Sequence, residues 1–222
     1  MAALQATELG PWQEVLQLVP PPDIPPTGVG QLRLRVLCAG LAFPDVLEIE
    51  GVYQTTHEYP YTPGVEVSGQ ITEVGAGVKG FAVGDRVFGA PVGGALKPVA
   101  LMEASRAHKI PDGVDPAIPA GFEMNYGTAY HALHDLAQVQ AGERVLVLGA
   151  SGGVGMAAVD LACAASVEVV ACASSAEKLR HCAEAGATTL INYEEDAGGD
   201  FKEALREAGI YPQIDVVVDV VG

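Results

Sequence analysis

Basic residues are scarce in this 222-residue chain: 12 Lys plus Arg stand against 28 Asp plus Glu, for a net charge of −16. A surface of that sign repels nucleic acid and anionic membrane, so neither is expected as a partner. Cysteine is scarce too. Cys38, Cys163, Cys172 and Cys182 form no C-x-x-C pair and no secretory spacing pattern, which points to reduced thiols and a cytoplasmic compartment. Residues 1–13 lack a basic stretch followed by an apolar block, so no signal peptide is expected. Long apolar runs are missing as well, because Asp160 and Glu168 interrupt the best candidate for a membrane span.

The residues that are present divide the chain by character. Gln31 to Cys38 alternates, with Leu32, Leu34, Val36 and Cys38 on one face and Gln31, Arg33 and Arg35 on the other, the pattern of a half-buried strand. Val65 to Val74 and Asp85 to Gly89 repeat it between glycines 64, 75, 77, 80 and 84. Val19 to Pro26 is a proline-rich extended entry. Short strands joined by glycine turns predict a small barrel-like β domain. After residues 111–121 the character changes. Ala129, Leu133, Leu136 and Ala137 recur at helical spacing within 128–139. Strands over 144–149, 167–172, 188–191 and 214–221 then alternate with helices over 154–165, 176–185 and 201–208. That alternation predicts a doubly wound parallel sheet in which Val216, Val217 and Val218 form a fourth buried strand.

The first of these βα steps is the most informative. A branched run, Val145 to Leu148, enters Gly149-Ala150-Ser151-Gly152-Gly153-Val154-Gly155 and then an Ala-rich helix. Strand, glycine loop and helix in that order open a dinucleotide-binding unit. Ala150 stands where the first glycine of G-x-G-x-x-G would make the tight turn. Gly152 lets main chain approach a diphosphate, and Gly155 lets the helix pack closely on the strand. Helix N-terminal amides and the positive end of the dipole complete the cradle. A glycine turn that binds nothing is the competing reading, and the strand–loop–helix–strand context weighs against it.

Further blocks carry a resemblance: residues 61–69 (YTPGVEVSG), 74–78 (VGAGV), 83–89 (VGDRVFG), 126–130 (YGTAY) and the glycine loop. Together and in this order they resemble the medium-chain dehydrogenase/reductase superfamily, in its zinc-free NADPH:quinone oxidoreductase, ζ-crystallin-like branch. The resemblance implies a GroES-like β-barrel substrate domain over 1–121. It implies a doubly wound, Rossmann-type nucleotide domain over 122–222, incomplete and cut after its fourth strand. The chain then resembles the N-terminal two-thirds of a family member. Relatives pair through a sheet edge that this chain lacks, so the usual homodimer is not expected.

Where zinc-containing relatives carry ligands, this chain reads Ala42-Phe43, Gly64-Val65-Glu66 and Met124. One carboxylate cannot fill a three-ligand site, so no metal is expected. His131 and His134 make an H-x-x-H without an identifiable third ligand, and read as a solvated or packed pair. For the cofactor, the end of the second strand lacks the Asp or Glu that binds a ribose 2′-hydroxyl. Ser174, Ser175 and Lys178 stand there instead and suit a 2′-phosphate. The two serines are equally fit to cap a helix. The resemblance places Tyr193 beside them, with Lys178 matching a lysine of NADPH-dependent relatives. NADPH is therefore the expected cofactor, held by Ala150, Ser151, Gly152, Gly153, Val154, Gly155, Ser174, Ser175, Lys178 and Tyr193.

The same resemblance puts Tyr53, Asn125 and Thr128 at the catalytic site; local packing or a helix start explains each equally well. Ala42 departs from a frequent asparagine, and Asp45 matches a frequent acidic position but is also suited to orienting a turn. Without a Lewis acid, a conjugated acceptor spreads the charge that hydride addition creates. The expected reaction is hydride transfer from NADPH to a small-molecule quinone or α,β-unsaturated carbonyl, with no obvious general acid. An enoyl-thioester reductase is the neighbouring expectation. A catalytically inactive nucleotide-binding chain or regulatory partner is the alternative of another class.

Overall fold

The computed structural model describes residues 2–222, and its contacts divide the chain into two units, Met1–Met124 and Asn125–Gly222. The division falls three residues past the 121/122 boundary that the resemblance implies, inside a helix where no change of character marks it.

In the N-terminal unit, β1 (Ala3–Ala6) pairs antiparallel with β2 (Leu16–Val19) around the short α1 (Trp12–Val15). Nothing in the alternation of these short segments announced them. The main sheet is antiparallel, built from β3 (Gln31–Gly40), β4 (Glu66–Val74), β5 (Arg86–Gly89), β6 (Val99–Glu103) and β7 (His108–Lys109) in the order β6-β3-β4-β5-β7. Its inward face carries Leu32, Leu34, Val67, Ile71, Val87 and Met102, each almost fully buried. That is the alternation read from β3. The register shifts between Val36 and Cys38, and both of those side chains are only half-buried. α2 (Phe43–Ile49) follows β3 and starts the return path to β4.

α3 (Glu123–Tyr130) leads into a π-helical turn, His131–Leu136, with Ala137 N–H bonded to the Ala132 carbonyl at 3.0 Å. The wider turn breaks the helical phase expected over 128–139. Ala129 and Leu133 are buried, whereas Leu136 is 70% exposed and Ala137 faces solvent. Gln138 at φ 52° ends the segment.

Four parallel strands follow: β8 (Arg144–Leu148), β9 (Glu168–Ala173), β10 (Thr189–Asn192) and β11 (Val216–Asp219), ordered β10-β9-β8-β11. α4 (Gly153–Ala164), α5 (Ala176–Glu184) and α6 (Phe201–Glu207) connect them. Continuous branched runs form strands here because both sheet faces are covered. Val145, Val147, Val169 and Ala171 pack against α4, while Leu146, Val170, Cys172 and Ile191 pack with Ala204 and Leu205 of α6. β11 corrects one expectation. Val218 is buried, but Val217 is 54% exposed, because β11 pairs on one side only and one face is left uncovered.

Candidate functional site

The glycine loop joins the C-terminal end of β8 to α4. The left-handed backbone falls on Gly149 (φ 66°), one residue before the position expected to make the turn. Ala150 is fully buried, and its amide bonds the Cys172 carbonyl at 3.0 Å, tying the loop to β9. Gly155 is required by the protein itself: a Cβ there would lie 2.2 Å from the Gly149 carbonyl oxygen. Gly152 is different. A Cβ at that exposed residue would meet nothing closer than the Gly149 oxygen at 3.4 Å. Packing alone does not demand glycine there.

The first helical bond of α4 runs from Met156 N–H to the Gly152 carbonyl at 2.8 Å, so the amides of Gly153, Val154 and Gly155 have no partner within the helix. Ser151, Gly153 and Val154 thus present the polar edge of the loop, with the Gly152 amide turned to the Gly149 carbonyl at 3.0 Å and the buried Ala150 and Gly155 behind. Such a cradle suits a diphosphate. Asn125 lies against it, its side-chain oxygen 2.5 Å from where a Gly153 Cβ would stand. Thr128 is on the exposed side of α3.

One strand over, Lys178 Nζ donates to Ser174 Oγ at 2.8 Å. Ser175 is the N-cap of α5 and accepts the Lys178 amide at 3.4 Å. The two serines, equivalent in sequence, are thereby separated: one caps the helix, the other meets the cation. Tyr193, 37% exposed, follows β10, and its amide bonds the Ala173 carbonyl at 3.2 Å. These four residues gather at the C-terminal ends of neighbouring parallel strands, where open α/β sheets bind ligands.

The N-terminal unit holds a cavity of about 740 Å³ whose wall includes Val65 and Met124, two of the positions compared above with zinc ligands. Sequence reasoning missed its polar cluster. His57 Nε2 lies 2.9 Å from Glu48 Oε2, Thr55 donates to the other Glu48 oxygen at 3.0 Å, and the His57 ring stacks on Tyr61 at 4.2 Å between centroids. The buried Tyr61 hydroxyl has no hydrogen-bond partner, and burial raises its pKa. Tyr53, the aromatic expected to serve this region, is half-buried and is not among the cavity-lining residues. The hint available in sequence was the density of Glu, His and Tyr between 48 and 61.

Two buried acids complete the picture. Asp45 accepts the amides of Ala42 and Gly64, each at 2.8 Å, so it does orient the turn. Burial nonetheless pushes its pKa up. Glu66 accepts the amides of Met124 and Glu123 at the start of α3, while its Oε2 is buried without a partner; burial raises its pKa too. His131 pairs with Asp135 at 2.8 Å and His134 packs on Tyr130 at 4.6 Å between ring centroids. Among the described residues, no group of three or more His, Cys, Asp or Glu could hold a metal ion. All four cysteines are free thiols, and burial pushes that of Cys172 up to about 12. No helix among the described residues is long and apolar enough to cross a membrane.

An antiparallel β unit followed by a parallel sheet with a glycine-rich first βα turn defines a dinucleotide-binding dehydrogenase fold. Comparisons with known proteins agree. Residues 28–112 match the alcohol dehydrogenase GroES-like domain, and residues 153–222 match the zinc-binding dehydrogenase family. Quinone oxidoreductase of Lama guanicoe is 36% identical over 222 residues, covering 99% of this chain and 67% of that protein. Quinone oxidoreductase-like protein 2 of Bos taurus is 34% identical over 209 residues, covering 94% of this chain and 58% of the relative. Escherichia coli quinone oxidoreductase, solved in complex with NADPH, superposes with a TM-score of 0.89 at 29% identity, covering 100% of this chain and 67% of that one. The chain belongs to the medium-chain dehydrogenase/reductase superfamily and is quinone oxidoreductase-like. It spans between half and two-thirds of the length of the quinone oxidoreductase and quinone oxidoreductase-like relatives it matches.

Proposed function

We propose that the chain binds NADPH and serves a metal-independent hydride transfer to a quinone or α,β-unsaturated carbonyl. The observation that supports this reading is the exposed loop at Gly152, where the protein leaves room for a Cβ and the missing side chain keeps the main chain open to a ligand. The amides of Ser151, Gly153 and Val154 hold the diphosphate, while Gly152, whose own amide bonds the Gly149 carbonyl at 3.0 Å, keeps the loop open to its approach. Ser174, Ser175, Lys178 and Tyr193 receive the ribose 2′-phosphate, and no carboxylate at the end of β9 repels it. By their family positions Asn125 and Thr128 are assigned to the nicotinamide and Tyr53 to the side of the substrate cleft, outside the residues that line the cavity. Bound NADPH supplies the hydride.

The acceptor is assigned to the N-terminal cavity, whose volume suits a small molecule. Hydride addition leaves negative charge on the acceptor oxygen, which then needs a proton. His57 in its imidazolium form keeps Nε2–H on Glu48 and holds a second proton on Nδ1, which it gives to the acceptor oxygen and so becomes neutral imidazole. Binding and turnover test the reading together. NADPH fluorescence should shift on adding the protein, more than that of NADH, and NADPH should be oxidised in the presence of 9,10-phenanthrenequinone. No binding of either nucleotide would overturn the proposal.

A further inference from the structure

We propose that the cavity of the N-terminal unit selects an acceptor carrying a carboxylate or phosphate, and that Lys97 and Arg106 hold that anionic group. The inference rests on the assignment of this cavity to the acceptor, although anion binding itself requires no cofactor.

With 28 acids against 12 bases, a cation on this chain has ample carboxylates to choose from. Arg33, Lys109, Arg144 and Arg206 each take one, at 2.7–3.1 Å, and what sets Lys97 apart among the other cations is its half-buried place on the cavity wall. Lys97 and Arg106 both line the cavity and, among the described residues, neither forms an ion pair. Lys97 is half-buried, and its ammonium donates to the carbonyls of Gly93 at 2.5 Å and Val92 at 3.4 Å. An ammonium has three donors, so one is left without a protein acceptor. Burial also lowers its proton affinity, as expected for a cation drawn from water without a counter-charge. A free guanidinium adds a planar fork suited to carboxylate and phosphate.

The acids on the same wall do not fill this role. Glu48 is committed to His57 and Thr55. Asp23, on the proline-rich segment, pairs with neither cation, although it lines the cavity too. An entering anion therefore meets two cations without ion-pair partners, against the carboxylates of Asp23 and of the His57-bound Glu48.

Calorimetric titration of the full chain with three stable probes tests this: 2-naphthoate, its neutral isostere 2-naphthamide, and 1-naphthyl phosphate. The anions should bind about tenfold more tightly than the amide, the span of one or two charge-assisted hydrogen bonds. The tighter of the two anions identifies whether a carboxylated acceptor or a phosphate-bearing one is the fit. Lys97→Met should erase the preference, the exposed Arg106→Gln should halve it or more, and Asp23→Asn should enlarge it. Equal affinity for amide and anions, binding of none of the three, or a preference that survives both cation substitutions overturns the proposal. NADPH titration of the same samples separates the two readings: nucleotide binding without anion preference sinks this inference alone, and anion preference without nucleotide binding sinks only the function proposed above.

Discussion

Lys178 Nζ donates to Ser174 Oγ at 2.8 Å, joining the first turn of α5 to the end of β9. The cation is thus held where a dinucleotide fold places the adenosine ribose. Lys178→Ala should cost about tenfold in NADPH affinity and leave NADH affinity unchanged, the usual size for one charge-assisted hydrogen bond. Parallel titrations of both nucleotides check it. An equal loss for both would remove Lys178 from phosphate recognition.

The glycines of the loop should separate by mechanism. Gly155→Val places atoms against the Gly149 carbonyl and should destabilise the fold by about 1–3 kcal/mol, read as a lower unfolding midpoint in urea. Gly152→Val has room on the protein side and should leave the midpoint in place while abolishing measurable NADPH binding. If both variants lose stability alike, Gly152 serves packing after all.

Much of the C-terminal unit was legible in sequence because buried parallel strands are continuous runs of branched residues stopped by glycine. Val145 to Leu148 and Val167 to Cys172 needed no partner information to be read. Val217 misled for the same reason: branched composition reports a strand, not whether both faces are covered. The π-helical turn was invisible because Leu133 and Leu136 fit ordinary helical spacing, and only the extra residue per turn carries Leu136 into solvent. The Glu48–His57–Tyr61 cluster depends on the chain folding back after α2, which no short-range pattern encodes. Ser174 and Ser175 were read as one site, and it took the cap geometry to divide their roles.

Asp45 and Glu66 both have pKa values raised by burial. Folded protein then binds protons more tightly than unfolded protein at these positions. Their contribution is fully present below the unfolded carboxylate pKa, about 4, and is lost as pH rises through the raised folded values. Glu66→Gln keeps an acceptor for the α3 amides and removes one titration, so stability should fall less steeply between mildly acid and neutral pH. Melting temperature against pH for the two proteins measures this. Parallel curves would show that Glu66 titrates alike folded and unfolded.

His57→Gln tests the proton step. Turnover with a quinone should drop by about a hundredfold, within the range of general acid catalysis, while NADPH affinity stays the same. Glu48→Gln should give a smaller drop, since it loosens the imidazole and leaves it in place. Unchanged turnover in both would return the proton to solvent.

On the proposed reading, the loop and the end of β9 together recognise a phosphorylated dinucleotide. Side-by-side fluorescence titration of the purified chain with NADPH and NADH measures it most directly. Saturable binding of NADPH is expected, about tenfold or more tighter than that of NADH. Equal affinities would contradict the assignment of Ser174, Lys178 and Tyr193, and no saturable binding of either nucleotide would contradict the cradle itself.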